Sequence, residues 1–262
     1  MTRSPTTFYV KVPHEAVDEE AREDPTIGER LHESKDKRSL PPRYWDHPVV
    51  VRNTTEPVLP LAIYMDGVEY SQVDSVIGIW IVNVITMKRH VIGLIRKARL
   101  CACGCRGWCT MYPLLKFIKW SIRCMARRRF PNSRHDEKAW SVADEHRELL
   151  ADKRMMFRCA ILFFKGDWME FCERVGYPTW ASSMRPCFCC SASPEQLFNT
   201  SGVSPVSLST HINEEADYER ACRECEIWVV LVSEQQHRRL ASLLRYDKRQ
   251  HGSYGRALID NF

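Results

Sequence analysis

Apolar runs of strand length dominate the pattern of hydrophobic and polar positions along the chain. Three of these runs follow one another at 58–65, 75–84 and 90–96, and β-branched residues are frequent in them. A fourth run, at 159–164, comes later. Strands that follow one another without an intervening helix favour an antiparallel meander, so the runs predict a sheet in a mixed α/β fold.

Helices are predicted between the third and fourth strands and after the fourth. One begins at Pro113 and runs to about Arg128, because proline suits the first helical turn and apolar residues recur there at helical spacing. These apolar residues are Leu114, Leu115, Ile118, Ile122 and Met125. Further helices are predicted at 138–150 and at 168–175, where Asp167 is a favoured N-cap.

Composition divides the chain into three predicted regions. Residues 1–57 are polar, charged and rich in proline, which predicts a partly disordered arm with at most a short helix near 27–35. Residues 58–190 form the predicted core, with a cysteine-rich loop at 101–109. Residues 191–262 are predicted to be a helical segment. Because no capping element closes this segment, we expect a truncated copy of a longer domain.

Net charge and cysteine content narrow the classes of protein. The net charge of +5, from 38 basic and 33 acidic residues, is too small to indicate nucleic-acid binding by itself. No apolar signal core begins the chain, so the 12 cysteines favour metal binding or reduced thiols in an intracellular protein over secreted disulfides. The best candidate for a membrane span, 76–87, falls short of the roughly 20 residues a membrane helix needs. A membrane partner is therefore not predicted. No motif indicates a small-molecule substrate either.

Two aspartates, Asp66 and Asp167, each follow a predicted strand and each neighbour a glycine. In α/β sheets, functional groups collect where strands end. Two carboxylates brought together there would repel each other unless a cation lay between them, and Mg²⁺ prefers such oxygen ligands. The pair therefore predicts Mg²⁺-dependent phosphodiester chemistry. The ordinary alternative is turn chemistry at Asp66 and helix capping at Asp167.

Two pairs of cysteines have the C-x-x-C spacing of zinc knuckles, and together they could give Zn²⁺ four thiolates. The four residues are Cys187, Cys190, Cys222 and Cys225. Cys189 and His211 are alternative ligands. A second candidate metal site, for which reduced thiols in a loop are the alternative, lies earlier in the chain. Its members are Cys101, Cys103, Cys105 and Cys109.

The helix predicted from Pro113 also carries basic residues opposite its apolar face. They are Lys116, Lys119, Arg123 and Arg127, with Arg128 following and Trp120 alongside. Basic residues at helical spacing with an aromatic neighbour can follow a phosphate backbone, which makes DNA the predicted partner and the nucleus an expected location. A solvated helix face is the alternative.

The order of these parts resembles the RNase H-like core of DDE transposases. Within that family, it is most similar to the large eukaryotic cut-and-paste group that includes the Kyakuja–Dileera–Zisupton and CACTA-related enzymes. The resemblance covers about residues 58–190 and rests on the stretches PLAIYMDGV, DSVIGIWIVNVITMKRHVIGLI, AILFFKGDWMEF and GYPTWASSMRPCFCC. It implies an RNase H-like mixed sheet flanked by helices, with zinc-knuckle insertions. Asp66 and Asp167 match the first two acids, after the first and fourth strands, and Cys187 and Cys190 match the knuckle.

The sequence departs from that family in two respects. The second acid lies in Gly-Asp-Trp-Met-Glu rather than among small residues, and no third acid stands out among the acidic residues of 214–224. The resemblance thus implies a transposase-derived, nucleic-acid-binding protein whose cleavage and strand-transfer site is either active or lost. A rival hypothesis needs only the cysteines and the basic helix: a non-catalytic, zinc-stabilised module that binds nucleic acid or protein. A membrane-surface protein held by acylated cysteines at 101–109 is a third.

Overall fold

The structure, a computed structural model, describes residues 7–72, 74–101 and 108–167. The chain divides into two compact units. One unit, Arg3–Arg99 with Pro113–Gly166, contains the sheet. The other consists of Met1–Thr2, Leu100–Tyr112 and the residues from Asp167 onward, and only a few of its residues are described. The fold is therefore the fold of the first unit.

A four-stranded mixed sheet forms the centre of that unit, with strands in the order β3-β2-β1-β4. The strands are β1 (Val58–Glu69), β2 (Ser75–Asn83), β3 (Arg89–Arg96) and β4 (Arg158–Gly166). β1, β2 and β3 form an antiparallel meander, and β4 joins β1 in parallel. The structure thus confirms the mixed α/β class and the meander. All four strands lie within two residues of their predicted bounds, except at the end of β1.

Alternation of side chains gives this sheet one buried face and one more open face. Met65, Ile79 and Ile81 lie on the buried face, and each is no more than 2% exposed. Tyr64 and Trp80 lie on the other face, which we call the open face, and both are partly buried. Because the period along a strand is two, each residue's face follows from its register.

The N-terminal region differs from the partly disordered arm that its composition predicts, because it forms four helices. They are α1 (Pro13–Glu23), α2 (Ile27–Asp36), α3 (Pro42–Asp46) and α4 (Pro48–Val51). Their few apolar residues are placed at helical spacing and are nearly inaccessible to solvent, as Val17, Leu31 and Tyr44 show. The high average polarity of residues 1–57 therefore did not indicate disorder, since a narrow apolar stripe is enough to pack a helix against the protein.

The helices between β3 and β4 also differ in extent from the prediction. Helix α5 runs from Trp108 to Arg127, so it begins before Pro113, and its predicted apolar face is buried. The predicted helix at 138–150 is wrong: only a 3₁₀ turn at Val142–Asp144 and the short α6 (Glu145–Glu148) form there. Residues 138–141 have no regular structure, so no helix begins at the predicted position. Within the described part of the chain, no helix is long and apolar enough to cross a membrane.

A buried carboxylate, Glu20, ties α1 to the β2–β3 hairpin. One of its oxygens accepts hydrogen bonds from Asn83 Nδ2 at 3.0 Å and from Thr86 Oγ1 at 2.6 Å. The other accepts from His90 Nε2 at 2.6 Å. Burial acts to raise the pKa of Glu20, but the hydrogen bonds from His90, Thr86 and Asn83 outweigh it and lower the pKa below its usual value. The network is thus built around the ionised carboxylate.

Replacing this carboxylate should destabilise the fold. We expect Glu20→Gln to reduce the free energy of unfolding at pH 7 by about 2 kcal/mol, because the amide cannot accept both sets of hydrogen bonds. A group whose pKa is lowered by folding stabilises above its unfolded-state pKa, so the difference from wild type should shrink as the pH falls below about 4. Urea unfolding at pH 7 and pH 3 measures both effects.

Glu23→Gln is the matched control, one turn away on α1. Glu23 is 61% exposed and its ion pair with Lys88 spans 3.4 Å, so its loss should cost at most about 0.5 kcal/mol. Equal losses in the two variants would show that the Glu20 network does not hold α1 on the hairpin.

Candidate functional site

The place where β4 leaves β1 defines the candidate site. Pairing of the two parallel strands ends at Met65 and Gly166, and Asp66 is the next residue of β1. The prediction that the first strand ends at Asp66 is wrong, because β1 continues to Glu69. It does so because β2 still pairs with it there, and Asp66 itself pairs with Gly78. Asp66 therefore lies inside one strand, at the point where its other neighbour has ended.

The second predicted acid, Asp167, is the first residue after the end of β4. Asp167 follows Gly166 directly, as Asp66 follows Met65. Asp167 is exposed and belongs to the second unit. The carboxyl end of a strand is the usual place for catalytic and ligand-binding groups in α/β proteins, and Asp167 follows such an end.

A tyrosine on the same strand orients the Asp66 carboxylate. Tyr64 and Asp66 are two residues apart, so both side chains lie on the open face. The Tyr64 hydroxyl donates a hydrogen bond of 2.6 Å to Asp66 Oδ2. A carboxylate held in this way keeps a fixed orientation, as the ligands of metal sites usually do.

The indole of Trp80 covers a glycine beside this pair. Trp80 is the register partner of Tyr64, and their ring centroids lie 5.4 Å apart. A Cβ atom built on Gly78 would lie 1.9 Å from Cη2 of Trp80, so the ring lies across the glycine backbone. Gly78 in turn pairs with Asp66. The indole therefore depends on the absence of a side chain at the position opposite the acid.

β4 adds a positive charge to the same face. Lys165 is the register partner of Tyr64, so its side chain lies on the open face as well. Its ammonium lies 5.3 Å from the ring centroid of Phe163, which is a cation–π contact. Sequence reasoning missed the roles of Tyr64, Trp80 and Lys165, although the i, i+2 spacing of Tyr64 and Asp66 indicates that they share a face.

The predicted zinc ligands fall almost entirely outside the described residues. This applies to Cys103, Cys105, Cys187, Cys190, Cys222 and Cys225. Cys101 is partly buried, and its N–H donates to Thr110 Oγ1 at 3.0 Å, while Cys109 lies in the first turn of α5. Across 7–72, 74–101 and 108–167, no three His, Cys, Asp or Glu side chains come together as a metal site.

Two further cysteines, Cys124 and Cys159, are core residues, as their apolar positions predict. Burial raises the pKa of Cys124 to about 11 and also raises the pKa of Cys159. At neutral pH both are thiols rather than thiolates, so neither is a ready metal ligand or nucleophile.

The basic stripe of α5 is exposed along most of its length. Lys116, Arg123 and Arg127 are exposed, and Lys119 is partly buried. Arg128 leaves the stripe because its φ of 58° ends the helix. Its Nε donates to the carbonyl of Met155 at 3.0 Å, and the guanidinium is only 18% exposed.

Trp120 is also turned towards the protein rather than to solvent. Its ring centroid lies 5.0 Å from that of His14 in an edge-on arrangement. The His14 N–H donates to Ser121 Oγ at 2.8 Å, and His14 Nδ1 lies 2.8 Å from the same oxygen. Burial, with the nearby charge of Arg147, lowers the pKa of His14 to about 3, so the neutral ring accepts from the hydroxyl. His14 and Ser121 are each at most 1% exposed. The pair therefore joins α1 to α5 and is out of reach of a substrate.

The packing of Trp80 on Gly78 predicts unequal tolerance to alanine at two glycines of the meander. Gly78→Ala should displace the indole and cost about 1–3 kcal/mol of unfolding free energy, the usual cost of overpacking. Gly93→Ala should cost little, because its Cβ would lie 3.5 Å from Val10 Cγ1, an ordinary contact. Chemical denaturation measures both. A Gly78→Ala variant as stable as Gly93→Ala would mean that the indole does not rest on Gly78.

Comparisons with known proteins assign no family to this chain: no protein-family model, curated protein or solved structure matches it. The geometry of the described residues is therefore the basis for a proposed function.

Proposed function

We propose that this protein is a transposase-type, nucleic-acid-binding domain in which Asp66 and Asp167 bind Mg²⁺ for phosphodiester cleavage. The observation that carries the proposal is the register of the two parallel strands. Met65 and Gly166 are paired, and each is followed directly by an aspartate. Asp167 follows the end of β4, and Asp66 lies within β1 at the point where its pairing with β4 has ended. Both offer the carboxylate oxygens that Mg²⁺ prefers.

The side chains of Asp66 and Asp167 fit a hard divalent cation. Mg²⁺ prefers carboxylate oxygens, usually from one or two side chains, with water and phosphate oxygens completing its coordination. The Tyr64 hydroxyl fixes the orientation of one of these carboxylates, as the outer-shell partner of a metal ligand does. When bound, the ion would supply the positive charge that phosphodiester cleavage requires. The Lys165 ammonium adds a further positive charge on the open face.

The topology supports the RNase H-like part of the proposal. In the resembling family, the first acid ends the first strand, two strands return, and the second acid ends the fourth strand before a helix. Here β1, β2 and β3 form the meander, and β4 joins β1. Asp167 follows β4 as the second acid does in that family, whereas Asp66 lies within β1 rather than at its end.

The basic stripe of α5 supports DNA as the partner. Lys116, Arg123 and Arg127 are exposed on one helix whose other side is buried in the core. Cations fixed at helical spacing can follow successive phosphates and bind without regard to sequence. Arg128 and Trp120 contribute to this interface less than their sequence positions suggest, because both are engaged within the protein.

A structural Zn²⁺ completes the proposal and is supported by cysteine spacing alone. The two C-x-x-C pairs would supply four thiolates to a tetrahedral ion. They are Cys187 with Cys190, and Cys222 with Cys225.

Substitution of either acid should remove cleavage. We expect Asp66→Asn and Asp167→Asn each to reduce Mg²⁺-dependent nicking of a supercoiled plasmid by at least about 100-fold, since a bound metal ion supplies several kcal/mol of transition-state stabilisation. Asp36→Asn is the control, because Asp36 is 67% exposed at the end of α2. Asp36→Asn should nick at the wild-type rate. A chelator should abolish nicking by the wild type and by Asp36→Asn.

Nicking that survives either active-site substitution would contradict the assignment of the two acids. A wild-type chain that binds DNA but never nicks it would favour the rival function, a non-catalytic binding module.

A further inference from the structure

The open face of the sheet carries an aromatic surface beside the proposed metal ligand. Trp80 lies across Gly78, which is directly opposite Asp66 on the neighbouring strand. Opposed Cα atoms of antiparallel strands are about 5 Å apart, so the indole and the carboxylate are neighbours within the size of one nucleotide. Trp80 keeps partial exposure, so part of the indole is accessible from the open face.

This arrangement differs from the packing of the opposite face. Ile79 and Ile81 flank Trp80 in sequence and are at most 2% exposed, whereas Trp80 keeps partial exposure. A glycine inside a strand costs conformational entropy and removes a packing side chain, and it often marks a place where something approaches the backbone closely. Here it allows a flat indole to lie on the sheet next to an acid.

We propose that the outer face of Trp80 stacks on an unpaired nucleobase, so that the substrate is nucleic acid with a single-stranded nucleotide at Asp66. The proposal rests on the function proposed above and specifies its substrate class. Base stacking on an aromatic ring needs no particular base and contributes about 1–3 kcal/mol for each base. The Lys165 ammonium, on the same face, would meet the phosphate of that nucleotide.

A fully paired duplex does not suit this surface. Each base within a duplex is already stacked on both sides, and unstacking it costs a few kcal/mol. A base that is unpaired, at a nick, a flap or a single-stranded end, offers its flat face without that cost. The stripe on α5 provides no such discrimination, because cations bind phosphates of either form.

The test is a comparison of single-stranded and duplex binding by fluorescence anisotropy, with the full chain and no added Mg²⁺ so that no cleavage occurs. Labelled oligonucleotides of one length serve as probes, one single-stranded and one duplex. Trp80→Ala should weaken single-strand binding by about 5- to 100-fold, which corresponds to the stacking of one base. The affinity of Trp80→Ala for the duplex should stay within about twofold of the wild-type affinity, which is less than the loss of one stacked base would cause.

Two further variants separate stacking from damage to the fold. Trp80→Phe retains an aromatic ring over Gly78 and should recover most of the single-strand affinity. Trp45→Ala removes another partly exposed tryptophan, on α3, and should bind like wild type. Wild-type affinity in Trp80→Ala, or an equal loss for both probes, would overturn the proposal.

The binding test of Trp80 and the nicking test of Asp66 can succeed or fail independently of each other. Trp80-dependent single-strand binding together with nicking that survives Asp66→Asn would support the stacking surface and contradict the metal site. Loss of nicking in Asp66→Asn without any Trp80-dependent binding would do the reverse.

Discussion

The register between β1 and β4 is the constraint on which the candidate site depends. A slip of one residue in a strand moves every side chain to the other face of the sheet. The observed register pairs Met65 with Gly166, puts Lys165 beside Tyr64, and leaves the two acids as the next residues of parallel strands. The buried face holds this register in place, because its isoleucine and methionine side chains would otherwise be moved into solvent.

Buried polar contacts tie the helices of the unit to the sheet and to one another. Glu20 anchors α1 on the β2–β3 hairpin through Asn83, Thr86 and His90, and the neutral His14 joins α1 to α5 through Ser121. Polar groups buried in this way bind each other instead of water, and each satisfied group favours one arrangement of the helices. These contacts fix α1 relative to the hairpin and to α5, while Tyr64, Asp66 and Trp80 lie on the open face.

The sequence predicts the strands well and the site only in part. Strands buried by their neighbours read as continuous apolar runs, and all four were found in this way. The N-terminal helices were missed because their buried residues, such as Val17 and Leu31, are few among many charges. The aspartates could be found from their neighbours in sequence. The hydrogen bond from Tyr64 and the position of Trp80 on Gly78 depend on side-chain rotamers and cross-strand register, which no local pattern specifies.

The central claim is that two carboxylates share one divalent cation, and Mn²⁺ binding measured by electron paramagnetic resonance tests it most directly. The account predicts that chelator-washed wild-type protein binds Mn²⁺, and that Asp66→Asn and Asp167→Asn each weaken binding by at least about tenfold, the effect of losing even an outer-shell residue. The double variant should be little worse than either single variant, because both acids serve the same ion. Unchanged Mn²⁺ affinity in either single variant, or losses that simply add, would contradict a shared site.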